Sequence, residues 1–211
     1  MDKSQAQAVT RRKLLAAARA AKPACARNGR PLPQAWFLTD PARTRHPERT
    51  AARLPRGFGV IFRHFGAKDR FRVGQRLAAV CRRRGLVLLV SADPLLAQAV
   101  RADGVHWPEA RLKGVRTCNP RWIETASAHS RAAIARAASM GVDAAILSTV
   151  FDSGSASAGK PMGALRFRLV ARAAPLPVYA LGGVTPHNAA RAMAHAAGWA
   201  AIDAVMSGWK S

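Results

Sequence analysis

Ala180-Leu181-Gly182-Gly183-Val184-Thr185-Pro186-His187-Asn188 is the stretch that decides the fold. A short apolar run ends in two glycines. Pro186 then stands near the first turn of an expected helix, Pro186–Ala197, with Thr185 placed to cap it. This is a buried strand handing over to a helix through a tight turn. Glycines there let backbone N–H groups approach an anion, and a helix start adds positive potential. An ordinary strand-to-helix turn has the same residues, so the surroundings must decide between the two.

Upstream, the same alternation repeats. Strand-like runs stand at Trp36–Thr39, Gly59–Phe62, Leu86–Val90, Gly104–Trp107, Thr125–Ala128, Ala144–Val150 and Val178–Leu181, and downstream at Ala200–Met206. Leu86–Val90 is apolar throughout, as expected for a strand buried on both faces. Helical spacing lies between the strands: Val73, Leu77, Val80 and Cys81 recur at i, i+4, i+7 and i+8, and Arg82–Arg84 close that helix where cations suit its dipole. The 109–123 stretch is irregular. Eight β units with helices between them fit an α/β barrel or a doubly wound sheet. Two features favour the barrel. Polar or small residues end the first seven strands (Asp40, Arg63, Ser91, His106, His129, Ser148, Gly182–Gly183), and a barrel would gather these seven sites at one mouth. No GxGxxG or Walker loop follows the first strand. The fold class is therefore a (β/α)8 barrel over residues 34–211, with a basic extension over 1–33 and a truncated or absent final helix. Residues 1–20 suit an amphipathic helix, which the Pro23–Pro33 stretch interrupts; the extension is expected to be partly mobile.

The chain has 211 residues, 34 of them Lys or Arg and 11 Asp or Glu, giving a net charge of +23. Such a balance suits nucleic acid, anionic lipid or a phosphorylated metabolite. Few aromatics are interleaved with the basic residues and no nucleic-acid module is present, so a nucleic-acid partner is not expected. No apolar run nears the ~20 residues of a membrane span, and no secretory leader is evident. Cys25, Cys81 and Cys118 are an odd number at wide spacing. They read as free thiols in a reducing compartment, which points to the cytoplasm.

Three further features carry candidate chemistry. Met206-Ser207-Gly208, after the expected last strand, would supply backbone N–H groups and a hydroxyl to the same anion as Gly182 and Gly183. Ser127-Ala128-His129 ends the fifth strand with Ser127 and His129 on one face, so His129 reads either as an acid/base or as a capping or core histidine. The polar loop from Ser148 to Pro161 reads as a lid carrying Lys160 to a phosphate or as a solvated linker.

In their order and placement these pieces are similar to the thiamine-phosphate synthase and thiazole tautomerase superfamily over roughly residues 34–210. The resemblance rests on Ala102-Asp103-Gly104-Val105-His106, Ser127-Ala128-His129-Ser130, Gly141-Val142-Asp143, Phe151 with Gly159-Lys160-Pro161, and the Ala180–Asn188 stretch. It implies an eight-stranded barrel, a thiazole phosphate held at Gly182, Gly183, Met206 and Ser207, and His129, Ser127 and Lys160 in catalytic positions. Synthases of the family join a pyrimidine diphosphate to a thiazole phosphate with Mg²⁺; tautomerases rearrange a thiazole carboxylate phosphate through the Ser-x-His histidine. The synthase pattern Gln-x-Arg-x-Lys on the second strand is reduced here to Arg63. The Asn-Asp after the third strand becomes Ser91-Ala92-Asp93, and Gly-Gln-x-Asp after the fourth becomes Trp107-Pro108-Glu109-Ala110-Arg111. Mg²⁺ wants carboxylate oxygens beside substrate phosphates, and only Asp93 and Glu109 stand near to offer them. The resemblance therefore implies a thiazole-phosphate binder of thiamine biosynthesis or salvage with its diphosphate–Mg²⁺ half eroded. No cofactor is expected unless synthase activity is retained, in which case Mg²⁺ is. An active synthase and a non-catalytic phosphate-ligand binder or partner protein are the alternatives, and a homo-oligomer is compatible with all three.

Overall fold

The computed structural model describes residues 2–112, 119–155 and 159–209. Cys118, the middle of the irregular 109–123 stretch and part of the 148–161 loop lie outside them. The chain runs α1 (Lys3–Arg19), β1 (Ala35–Leu38), α2 (Pro47–Ala51), β2 (Gly59–Phe62), α3 (Arg70–Arg84), β3 (Val87–Ser91), α4 (Pro94–Ala99), β4 (Gly104–Trp107), a 3₁₀ turn (Glu109–Arg111), β5 (Ile123–Ala128), α5 (Arg131–Ser139), β6 (Ala144–Leu147), α6 (Ala164–Ala173), β7 (Val178–Ala180), α7 (Ala189–Ala192), β8 (Gly198–Ala201) and α8 (Asp203–Trp209). The strands pair in parallel in chain order and β8 pairs with β1, closing the barrel. The expected barrel is thus the observed one.

Two apolar layers follow from the strand period of two. Trp36, Leu38, Ile61, Leu89, Ile146 and Tyr179 fill the barrel interior, while Phe37, Val60, Phe62 and Trp199 face the helices. On α3 the i, i+4, i+7 pattern is realised: Val73, Leu77, Val80 and Cys81 are buried and Gly85 closes the helix in the left-handed region. Burial, with Asp103 nearby, pushes the Cys81 thiol up to about 12, so it stays protonated and inert. Cys25 is exposed.

Residues before β1 are built into the barrel's outside and base. α1 packs beside α7 and α8, burying Leu14, Ala17 and Ala18, and Trp199 Nε1 donates to the Leu14 carbonyl at 3.2 Å. Next, Cys25 and Pro31 form a β-bridge, and Ala26 and Leu32 join the interior cluster from below. The Asp143 carboxylate, 1% exposed, accepts from Arg27 N at 2.8 Å, Arg27 Nε at 3.0 Å and Glu124 N at 2.7 Å. Arg30 pairs with Asp103. Two arginines of the basic extension thereby fasten it to strand ends. Replacing Leu14, which has no exposed surface, with Ala should cost about 2–3 kcal/mol in urea unfolding. An unchanged midpoint would mean that α1 contributes nothing to the barrel.

Three expected boundaries are corrected. The sixth strand stops at Leu147 rather than Val150. The helix expected over Pro186–Ala197 shrinks to Ala189–Ala192, because Asn188 Oδ1 accepts from Thr185 N at 2.8 Å and holds that segment as a turn. The last strand is Gly198–Ala201, not Ala200–Met206: Asp203 begins a helix instead. An apolar run this short fits strand or helix equally well, and periodicity does not separate them.

Candidate functional site

The C-terminal strand ends surround a cavity of about 470 Å³. Arg63, Ser127, His129, Gly182, Gly183 and Ser207, all singled out in the sequence, line it. Met206 and Lys160 do not. Because 203–209 is helical, Met206 turns toward α2, where Thr50 Oγ1 donates to its sulfur at 3.4 Å. Ser207 reaches the mouth from α8, with its hydroxyl donating to the Ala204 carbonyl at 3.0 Å. Lys160 lines a neighbouring cavity of about 720 Å³ with Arg131 and Arg166, and His129 borders both cavities.

The Gly182–Gly183 turn is shaped by what it touches. Both glycines have positive φ, +93° and +61°. Phe151 N donates to the Gly182 carbonyl at 3.0 Å, and Asn188 Nδ2 donates to the Gly183 carbonyl at 2.8 Å. Asn188 thus bonds both sides of the turn. Asn188→Ala should cost about 1–2 kcal/mol in thermal or urea unfolding; no loss would show that the turn holds itself.

Arg63, which lines the same mouth, is fixed by its own backbone surroundings. Its Nε donates to the Thr39 carbonyl at 3.0 Å, its backbone N–H donates to Thr39 Oγ1 at 3.0 Å, and Asp40 lies at 3.9 Å. Burial pulls the Arg63 pKa below its ordinary value; Asp40 opposes this and Arg43 adds to it. Partial burial works to raise the Asp40 pKa, but the Arg43 and Ala42 N–H groups and the Arg43 guanidinium win and hold it below its ordinary value. Arg43, which the sequence reading missed, lines the same mouth. It bridges Asp40 at 3.3 Å and Asp203 at 3.2 Å. Asp203 and Asp152 also line the mouth. Asp203 lies inside the run that reads as the last strand, and Arg43 stands five residues beyond β1, where no periodicity marks it.

His129 sits on the rim, 59% exposed, with Nδ1 2.7 Å from Glu109 Oε2. The same oxygen accepts from the His129 backbone N–H at 3.0 Å, and the other holds Arg136 at 2.7 Å. Asp93 caps α4, accepting from Leu96 N at 2.9 Å, and pairs with Arg70 at 2.5 Å. Both carboxylates nearest to a metal role are therefore bound to arginines, and among the described residues no group of three or more His, Cys, Asp or Glu side chains is placed to hold an ion. Mg²⁺ takes one or two carboxylates beside substrate phosphates and water, and here the two candidates, Asp93 and Glu109, each face an arginine. No described helix is long and apolar enough to cross a membrane.

The family described as thiamine monophosphate synthase matches residues 36–205 of this chain. A putative thiamine-phosphate synthase 2 of Aquifex aeolicus is 34% identical over 130 residues, covering 60% of this chain and 70% of that protein. The thiamine-phosphate synthase of Chlorobium luteolum is 33% identical over 139 residues, covering 64% and 66%. The chain spans only 28% and 29% of two bifunctional thiamine-biosynthesis proteins that it also matches. Among solved structures, thiamine phosphate pyrophosphorylase from Pyrococcus furiosus superposes with a TM-score of 0.68 at 22% identity, over 84% of this chain and 88% of that one, which shows the shared barrel. The match spans β1 to α8, the segment that forms the barrel and its mouth, so the chain belongs to the thiamine monophosphate synthase family.

Proposed function

We propose that the mouth takes a phosphorylated thiazole, and that this chain serves thiamine biosynthesis or salvage with the diphosphate–metal half of the synthase reaction replaced by ion pairs. The observation that carries this reading is the state of the two carboxylates. Asp93 is spent on Arg70 and the start of α4, and Glu109 on Arg136 and His129. A diphosphate leaving group needs fixed positive charge where its own charge develops, and carboxylates already neutralised by arginine do not recruit a cation there. The other side of the mouth keeps Arg63, Arg43 and the Gly182–Gly183 turn for a phosphate. His129, backed by Glu109, is placed at the rim to move a proton to or from the ligand, as in a thiazole tautomerase.

A second reading is a complete thiamine-phosphate synthase coupling pyrimidine diphosphate to thiazole phosphate. The names of the relatives favour it more directly than they favour a tautomerase. One experiment separates the two: purified protein is given both precursors with and without Mg²⁺, and thiamine phosphate is measured. We expect thiazole phosphate to bind without Mg²⁺ and coupling to stay far below that of a synthase assayed alongside. Rapid, Mg²⁺-dependent coupling would sink our reading and establish the second. His129→Ala should abolish any isomerisation of the thiazole while leaving its binding; unchanged turnover would remove His129 from the chemistry.

A further inference from the structure

The barrel interior holds a buried histidine that the reading above leaves without a task. His106 on β4 is 2% exposed and lies opposite Thr125 on β5 in the strand register. Its Nδ1 is 2.9 Å from Thr125 Oγ1, and its Nε2 is 2.9 Å from Ser127 Oγ. Thr125 and Ser127 are two residues apart on one strand, so they share the inward face. Ser127 is the one that lines the mouth. Three side chains thus form a line from the closed interior to the ligand cavity, ending on the Ser127 hydroxyl.

We propose that this line is a neutral hydrogen-bond relay, in which His106 is a positioning residue that aims Ser127 at the uncharged heterocycle of the bound ligand. The proposal rests on the reading that the mouth takes a thiazole. A neutral imidazole has one donor nitrogen and one acceptor nitrogen. With the proton on Nδ1, Thr125 accepts, Nε2 takes the Ser127 proton in a hydrogen bond, and the Ser127 oxygen faces the cavity as an acceptor. With the proton on Nε2, Thr125 donates to Nδ1, Ser127 accepts from Nε2, and its own O–H is free to donate into the cavity. Both arrangements are uncharged. Ser127 can therefore meet either a lone pair or an N–H of the ligand ring without any charge being buried.

The surroundings keep the imidazole neutral. Its strand neighbours, Ser91 on β3 and Thr125 on β5, carry no charge. The charged side chain that bears on it is Arg63, the residue after β2. Burial, and then the Arg63 charge, push the His106 pKa down to about 3. A serine activated by giving its proton to His106 would create an imidazolium in that place, beside a guanidinium. Orientation of the ligand, rather than covalent attack on it, is the task the geometry leaves to Ser127.

The test has two arms. In the first, ¹⁵N signals of the His106 ring are followed from pH 4.5 to 9 in wild type and Ser127→Ala. We expect no titration in this range and a shift of both ring nitrogens in the variant. A midpoint near 6.5, or ring nitrogens indifferent to Ser127→Ala, would overturn the relay. In the second, thiazole phosphate binding is measured by calorimetry. Ser127→Ala and His106→Leu should each weaken it about tenfold, the double variant no further, and His106→Gln, whose amide reaches toward Ser127, should recover most of the loss. Independent, multiplying losses, or Ser127→Ala binding as wild type, would count against the proposal; the serine variant keeps this arm decisive if His106→Leu does not fold. Should wild type take no thiazole phosphate, the function proposed above falls, and the ring nitrogens alone decide the relay.

Discussion

Gly183→Ala should both destabilise the protein, by about 2–5 kcal/mol, and weaken thiazole phosphate binding by about a hundredfold. Gly183 has φ +61°, where a β-carbon is itself unfavourable by about 1–2 kcal/mol. The added carbon would overlap the carbonyl oxygen of Asp152 and stand 2.7 Å from the carbonyl carbon of Phe151. Those are backbone atoms, which cannot turn aside as a side chain can, so overpacking contributes a further ~1–3 kcal/mol. The displaced segment carries Asp152 and Ser153, which wall the mouth, so the ligand site moves with it. Gly154→Ala is the control, because its added carbon meets nothing within 4 Å. Urea midpoints and ligand titration of the two variants decide the matter. Equal behaviour would show that the glycine turn and the segment after β6 do not press on each other.

Acid should unfold this barrel partly through His106. The folded-state pKa of that histidine is pushed down to about 3, mainly by burial, whereas in the unfolded chain it titrates near its ordinary value of about 6.5. The unfolded state therefore binds the extra proton, and stability falls as pH drops through that window. The contribution is complete above about pH 6.5, declines steadily below it, and levels off near pH 3. Between pH 7 and pH 4 the loss from this one group is about 3 kcal/mol. His64 is also depressed, chiefly by burial, and acts in the same direction. Comparison with His106→Gln isolates the share of His106, since every other group is common to both proteins. Urea unfolding at pH 7, 5.5 and 4 should give a clearly flatter acid slope for the variant. Parallel slopes would show that His106 is not held neutral by the fold.

The barrel could be read from the chain because eight short strand-like runs recur with helical patterns between most of them. The strand assignments over Gly59–Phe62 and Gly104–Trp107 match to the residue. The failures lie where one residue type serves two structures. Ala200–Met206 is apolar enough for a strand, yet the chain turns into α8 at Asp203, which carried Ser207 to a helix and Met206 out of the mouth. Arg27 and Arg30 looked like part of a diffuse basic extension. Their partners, Asp143 and Asp103, lie more than seventy residues away in the chain, and no local pattern shows such a pairing.

The opening stretch shows the same division. From the sequence alone, Ala180–Asn188 is a strand, a glycine turn and a capped segment, since two glycines and a proline restrict or free the backbone through local sterics. That both glycines are demanded by the segment after β6, and that Asn188 bonds the turn on both sides, belongs to the tertiary structure. The same holds for Asp93 and Glu109. Their carboxylates were visible as candidates, but whether a carboxylate is free to hold a cation depends on which guanidinium the fold brings within about 3 Å of it. Local sterics act between chain neighbours and are written in the sequence; charge pairing and close packing act through space, and only the closed barrel decides them.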